Sequence, residues 1–319
     1  MSAETTAAGV PRVTGAEAEA VLDHIAASFV NPLRSPILWT PADEGLGFEN
    51  VTFPSADGVP LEGWFIPADS DRLVILNHPM GFSRAGQPTS REPWQSIWGP
   101  SGNTMDVNFI LDYKILHDAG YNVLTYDLRN FGLSGAANGG AVTAGLLEAR
   151  DVIGSVRYAR QRPDTATMRT ALFSRCLGAN STLGAMRDQP EAFSHIRGLV
   201  ACQPVSDPVI MSKLLDIVGV GRDRLPDLDE RVVRGTSVPF DARPSTSWTR
   251  YVTVPTYLYA VREDSLTEPQ DIETGFEALA TKDKTLYWVE NTTRRWDGYL
   301  EFQRRPQPIL DWLEEHLAQ

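Results

Sequence analysis

The stretch "ALFSRCLGANS", Ala171–Ser181, decides how this chain is read. It starts as an apolar strand, reaches Cys176 between small neighbours, and continues in residues that favour a helix. A sharp strand-to-helix turn that strains a nucleophile above a sheet needs small side chains two positions before and two positions after it. Ser174 and Gly178 meet that demand. Cys176 then stands at a helix N-terminus, where the macrodipole and free N–H groups favour a thiolate over a thiol. The bland alternative is an inert cysteine packed as a small hydrophobe.

The 319 residues, 42% hydrophobic and 22% charged, fit one large α/β domain or a domain with an inserted cap. A formal net charge of -12 argues against a general nucleic-acid or anionic-membrane surface, while leaving room for a local basic pocket. The opening "MSAETTAAGVPRVTG" lacks the basic start and apolar core of a signal peptide, and no run has the length of a membrane span. A soluble cytoplasmic protein is the default expectation. The two cysteines give no disulfide framework and no zinc spacing, and no metal or cofactor is expected. Cys202, inside "IRGLVACQPV", reads as a small residue of a buried strand.

Along the chain, residues 1–14 are small and polar and are expected to fray, and "GAEAEAVLDHIAASFVNPL" carries helical spacing up to Pro32. "FENVTFPSADGVPLEGWFIPAD" reads as two strands joined by a turn at Asp57-Gly58. Apolar runs "RLVILNHP", "YNVLTYD", "TALFSR", "RGLVACQPV", "PTYLYAVRED" and "KTLYWVEN" follow, most of them separated by helical patterns. Such alternation predicts a mostly parallel sheet covered on both faces. Residues 80–106 and 206–250 break the rhythm, and both are expected over the carboxyl ends of the strands, where open α/β sheets bind ligands. The expected organisation is an N-terminal helical extension (1–45), a core (46–205 and 251–319) and a lid or cap insertion (206–250).

Four stretches resemble the α/β-hydrolase superfamily. "NHP" resembles the loop that supplies an oxyanion donor, "YDLRNFGLSG" the loop after the fourth strand, "FSRCLGA" the nucleophile elbow and "AVREDSLTEP" the acid-bearing turn. Their order and spacing agree with the resemblance over about residues 46–319. It implies an α/β-hydrolase fold with lid insertions after the third and sixth strands. It implies Cys176 as nucleophile, with the N–H groups of Leu177 and Met80 as oxyanion donors, because Pro79 has none to give. Asp264 is the acid, with Glu263 as fallback, unless it only caps the following helix.

The resemblance breaks at the histidine. Histidines occur at 24, 78, 117, 195 and 316, and none follows the last strand. Arg295 in "NTTRRWDGY" aligns best with the usual position, with Arg294 beside it as alternative. A guanidinium at neutral pH takes no proton, so it is no general base. It remains able to stabilise a thiolate, with Arg175 adding to this if it turns inward, or to hold a substrate carboxylate with its planar fork. A structural ion pair with Asp264 is the third option. His78 is the substitute base or a brace for its loop, and His78, Arg175, Arg294, Trp296 and Phe82 are the expected substrate contacts. Trp94, Trp98, Trp248, Tyr251 and Tyr299 complete the aromatic supply.

Dienelactone hydrolases, relatives with a cysteine at this elbow, act on small carboxylated lactones. The resemblance therefore implies hydrolysis or acyl transfer on an ester, lactone or thioester of a small substrate, with a carboxylate as an option. The rivals are a lyase or cyclase of specialised metabolism and a degenerate binding protein. The expected partner is a small molecule, with neither nucleic acid nor membrane, and a homodimer is compatible with the sequence.

Overall fold

The computed structural model describes residues 4–243 and 246–318. Eight strands form the central sheet: β1 (Glu49–Pro54), β2 (Pro60–Ile66), β3 (Arg72–Asn77), β4 (Asn122–Tyr126), β5 (Arg169–Arg175), β6 (Ile196–Cys202), β7 (Thr256–Val261) and β8 (Lys284–Val289). Their spatial order is β1-β2-β4-β3-β5-β6-β7-β8. β2 runs antiparallel to β1 and β4, while all the other pairings are parallel. The turn at Asp57-Gly58 joins β1 to β2 as expected, and the continuous apolar runs are the interior strands.

Helices cover both faces. On one face, Ile110–Asp118, Arg295–Arg304 and Gln307–Leu317 bury Tyr113, Phe302 and Leu313 against Val74, Phe173 and Val200. On the other, Ala149–Gln161 and Leu177–Asp188 bury Val152, Val156 and Leu183 against Leu73, Ile75 and Leu172. The alternation of side chains along β3 and β5 feeds both layers at once. The strand register sets Asn77 beside Ser174, and Arg175 beside Cys202, so the carboxyl ends of β3, β5 and β6 share one edge.

The segment after β6 folds into helices Asp207–Ile217 and Leu225–Thr236. These pack with the N-terminal helix Gly15–Ala27 around Leu22, Phe29, Leu215, Leu228 and Val232, a third apolar cluster apart from the two sheet faces. Glu19 pairs with Arg224 at 2.7 Å and also with Arg231, and Asp23 pairs with Arg231 at 2.7 Å. Met80 and Ile210 bridge this cluster to the sheet layers.

The expected fraying of residues 1–14 is corrected for the described part, residues 4–14. Thr6 Oγ1 donates to the Asp216 carbonyl at 2.8 Å, and the Val13 N–H donates to the Gly219 carbonyl at 2.9 Å. Arg12 pairs with Asp223. Composition suggested a free end, but pairing to the turn between the two helices after β6 satisfies its backbone. Residues 1–3 lie outside the described residues.

Leu22 is fully buried between the N-terminal and cap helices. Leu22→Ala is expected to weaken that cluster by about 2 to 5 kcal/mol. Hydrogen exchange should quicken across Leu225–Thr236 while the amides of β3 and β5 keep their protection. Equal quickening in the sheet would show that cap and sheet open as one unit.

Candidate active site

The chain turns sharply after β5. Cys176 takes φ 48° and ψ -111°, a conformation that costs a non-glycine residue about 1 to 3 kcal/mol and persists only when its surroundings enforce it. Three backbone hydrogen bonds do so: Cys176 N–H to Cys202 O at 2.8 Å, Gly178 N–H to His78 O at 3.1 Å, and Asn180 N–H to Cys176 O at 2.8 Å. A Cβ on Gly178 would lie 2.5 Å from the Asn77 carbonyl oxygen, so glycine is required there by the close approach of β3. Ser174 accepts from Asn77 Nδ2 at 2.8 Å and shares a 2.8 Å hydrogen bond with Thr182. Tyr126 completes this brace by donating to Asn77 Oδ1 at 2.6 Å.

Arg295 opens the helix that follows β8, where the positive end of the helix dipole disfavours a cation. Its guanidinium is nevertheless buried, 2% exposed, because the protein supplies a partner at each nitrogen. Nη1 donates to Asp264 Oδ2 at 2.6 Å, Nη2 to the Gln203 carbonyl at 2.7 Å, and Nε to the Tyr299 hydroxyl at 3.0 Å. Burial works against the charge, yet Tyr299, Cys176 and Asp264 outweigh it and hold Arg295 well above its ordinary protonation range. The Cys176 N–H and Arg295 Nη2 donate to the consecutive carbonyls of Cys202 and Gln203, at 2.8 and 2.7 Å, which sets the guanidinium beside the cysteine turn. Cys176, Arg295 and Asp264 are thus brought together in that order.

Asp264 is itself buried on the turn after β7. Oδ1 accepts the Leu266 N–H at 2.9 Å, and Oδ2 accepts the Thr267 hydroxyl at 3.1 Å besides Arg295. It does not cap the helix Pro269–Ala278, whose N-cap is Glu268. Leu177 and Met80 flank the cysteine in sequence and across the sheet edge. Their N–H groups carry no hydrogen bond among the described residues.

His78 is not free to act as a base or to touch substrate. It is buried, its Nδ1 lies 2.7 Å from the Pro79 carbonyl, and its Nε2 accepts the Leu128 N–H at 2.9 Å. That pair of contacts fixes the neutral Nδ1–H tautomer, and burial lowers the pKa further. Arg175 is also committed elsewhere: it is 1% exposed, donates to Asp112 at 2.6 Å, and lies over the rings of Phe109 and Phe173. Arg294 points to solvent and is tied to Asp297 at 2.9 Å. Phe82 and Trp296 are buried and pack edge to face at 5.3 Å, with Tyr299 against both rings. Trp98 lies 4.9 Å from Trp296, whereas Trp248 serves as a platform for Arg187 at 3.5 Å. Tyr251 is exposed beside Thr253 and Val254.

Gln203 was missed from sequence, and Tyr299 was read only as part of the aromatic supply. Gln203, in the left-handed region at φ 52°, seats Arg295 through its carbonyl, and its side chain accepts from Val261 N–H at 3.2 Å and donates to the Arg295 carbonyl at 2.9 Å. A Cβ on Gly298 would sit 2.7 Å from this side chain. A glutamine ending an apolar strand was the available signal. Tyr299 stands one helical turn after Arg295, a spacing that puts the two side chains on one face. Cys202 is fully buried, and burial pushes its thiol up to about 12, in keeping with a core residue.

The segment 80–106 closes over this edge. Trp296 donates its backbone N–H to Asn103 and its indole N–H to Thr89, both at 2.9 Å, and Ser265 donates to the Ser101 carbonyl at 3.1 Å. Cys176 is left 8% exposed. A cleft lined by Arg157, Arg160 and His195 lies away from this chemistry, beside the residues that lead into β6.

No family model matches the chain. It is 30% identical over 151 residues to the uncharacterized protein YfhR of Salmonella typhimurium, a match covering 46% of this chain and 42% of that one. YfhR of Escherichia coli K12 is 30% identical over 139 residues, covering 42% and 40%. The match therefore spans less than half the length of these relatives. Among solved structures, the esterase Pf2001 of Pyrococcus furiosus has a TM-score of 0.64 at 21% identity, covering 91% of this chain and 97% of that one. The α/β hydrolase GrgF of Penicillium has a TM-score of 0.57 at 17% identity, covering 86% and 100%. With the strand order above, these likenesses show that the chain has the α/β-hydrolase fold. Among the described residues, no helix is long and apolar enough to cross a membrane.

The histidine geometry is directly measurable. At pH 6.5, the ordinary midpoint of imidazole, the ring nitrogen shifts of His78 are expected to report the neutral Nδ1–H form. The unfolded chain takes up the proton that folded His78 refuses, so this residue's contribution to stability falls as pH drops through 6.5. A half-protonated ring in the folded protein at that pH would refute the assignment.

Proposed function

We propose that the chain is an enzyme of acyl chemistry in which the Cys176 thiolate attacks an ester, lactone or thioester of a small substrate. The observation that carries this is the strained Cys176 turn facing a buried, permanently charged Arg295 that Asp264 holds in place. A serine at this turn would need a base to remove its proton, but a thiolate attacks without one. Arg295 then acts as counter-ion to the sulfur, and Asp264 is a positioning residue acting through it.

The alternative role of Arg295, gripping a substrate carboxylate, fits less well. All three guanidinium nitrogens already donate to protein oxygens, so the two-pronged face that matches a carboxylate is engaged. A carboxylate on the substrate is thus not required by this site. The unengaged N–H groups of Met80 and Leu177 are suited to the oxygen that becomes negative as sulfur adds to the carbonyl. Collapse of that intermediate expels the alcohol or thiol and leaves an acyl thioester on Cys176. Transfer to water gives hydrolysis, and transfer to an amine, alcohol or thiol gives acyl transfer.

Brief exposure to a panel of acyl thioesters, activated esters and lactones is expected to give an acyl mass on the intact protein that is absent in Cys176→Ala. Arg295→Leu should lower the rate of acylation by about 100-fold or more, because it removes a preorganised charge from a site closed to water. Arg295→Lys should recover only part of it, since an ammonium cannot keep the Asp264, Gln203 and Tyr299 contacts together. A folded Cys176→Ala protein that still turns over substrate would overturn the covalent mechanism and leave the noncovalent or binding roles.

A further inference from the structure

The covalent cycle proposed above leaves one requirement unmet. The leaving group must gain a proton when the acyl-enzyme forms, and the incoming nucleophile must lose one when it breaks down. In a hydrolase with histidine, the imidazole does both. Here Arg295 holds its protons, His78 has both nitrogens engaged, and Asp264 faces Arg295, Leu266 and Thr267.

We propose that Tyr299 carries that proton, shuttling it between the reacting groups beside Cys176. This rests on the covalent role of Cys176. The Tyr299 hydroxyl accepts the Arg295 Nε–H at 3.0 Å, and Arg295 Nη2 and the Cys176 N–H donate to the consecutive carbonyls of Gln203 and Cys202 at 2.7 and 2.8 Å, so the phenol stands on the side of Arg295 next to the cysteine turn. Nε–H can only donate, so the phenol oxygen accepts there and its single O–H is left to give to the reacting groups. The ring is 1% exposed and held between Phe82 at 5.5 Å and Trp296 at 5.3 Å, so the hydroxyl is fixed and shielded from water. Burial raises its pKa well above the ordinary value although Arg295 opposes this, which keeps the proton on Tyr299 in the resting state.

The steps balance. In acylation, the thiolate forms the carbon–sulfur bond, the bond to the leaving group breaks, and the leaving oxygen or sulfur takes the Tyr299 proton. One negative charge disappears from sulfur and one appears on the phenolate. In deacylation, the phenolate takes a proton from the incoming water, alcohol, amine or thiol as that group attacks the thioester carbonyl. Thiolate and phenol are restored. Throughout, a single mobile negative charge stays within reach of Arg295, first on sulfur and then on oxygen. A buried site disfavours any change in its net charge, so this exchange suits a pocket closed to water.

The test compares acylation by p-nitrophenyl and phenyl esters of an acyl group that labels the wild-type protein. p-Nitrophenolate leaves without help, whereas phenolate benefits from a proton. Tyr299→Phe is expected to widen the ratio of p-nitrophenyl to phenyl ester acylation rates by about 100-fold. It should also slow breakdown of the acyl-enzyme by a similar factor, so that the acyl mass persists. A site-specific 3,5-difluorotyrosine at 299 keeps the hydroxyl as a better acid and weaker base. It should restore the ester ratio while leaving breakdown slow.

Equal loss for both esters with unchanged breakdown would make Tyr299 a packing residue and overturn the proposal, as would full activity in Tyr299→Phe. If Tyr299→Phe fails to fold, the fluorinated protein alone decides: acyl-enzyme breakdown as fast as in wild type overturns the proposal. A failure of the covalent mechanism looks different. No acyl mass would then appear on wild-type protein with any ester, so the proton relay would fall together with the role of Cys176.

Discussion

A guanidinium sealed from water must find every charge partner within the protein, and Arg295 sets that demand on the carboxyl edge of the sheet. Taking an ion pair out of water costs several kcal/mol per ion before their attraction is counted. The cost is tolerable only if the remaining N–H groups are also satisfied, and several distant features serve that end. Gln203 adopts a left-handed backbone that brings its carbonyl to Nη2, glycine at 298 leaves space for its side chain, and Tyr299 closes the Nε side. Asp264 is steadied in turn by Leu266 and Thr267. Loss of one member would leave the others buried and unpaired, a larger penalty than the pair's own net contribution.

Buried arginines are not rare in this chain, so burial alone does not single out Arg295. Arg129 pairs with Asp57 at 2.6 Å and with Asp151 at 2.7 Å, and Arg175 pairs with Asp112 at 2.6 Å. Arg84 pairs with Asp127 beneath the first insertion. Each of these ties a loop or a helix to the sheet and meets no nucleophile at the elbow. What distinguishes Arg295 is its interaction with the Cys176 side chain at the end of β5. The same comparison explains Arg175. It is the residue before Cys176, but side chains of adjacent strand residues point to opposite faces, and Arg175 lies among Phe109, Phe173 and Asp112.

Local patterns carried the fold. Apolar runs bounded by Gly, Pro and Asp delimit the strands, and the small residues around Cys176 mark the elbow because the constraint is steric and local. Asp264 and Arg295 were also picked out, since each follows a recognisable strand, and the structure pairs them at 2.6 Å. Gln203 and Tyr299 were harder, because their significance depends on β6, β7 and the last helices meeting at one edge. His78 shows the opposite failure: its position at the sheet edge made it a candidate base, while the neighbouring Pro79 carbonyl and Leu128 N–H consume both nitrogens. Trp248 and the N-terminal segment illustrate how composition reports polarity and bulk without saying which surface a residue meets. Phe82 and Trp296 were foreseen as substrate contacts, yet they are so fully packed that they shape the Tyr299 wall from behind.

The two departures from the usual hydrolase pattern are consistent with each other. Arginine in place of histidine would disable a serine, whose hydroxyl needs a base, but it suits a cysteine, whose thiolate needs a counter-charge instead. Relief of the Cys176 strain and replacement of the buried Arg295–Asp264 pair by apolar residues would both be neutral or stabilising routes. Instead, the strained turn, the buried pair, the seat made by Gln203 and the unengaged N–H groups of Met80 and Leu177 coexist at the carboxyl edge of the sheet. Each is costly or indifferent for stability taken alone, and the covalent role proposed for Cys176 is the one reading that gives all of them a use.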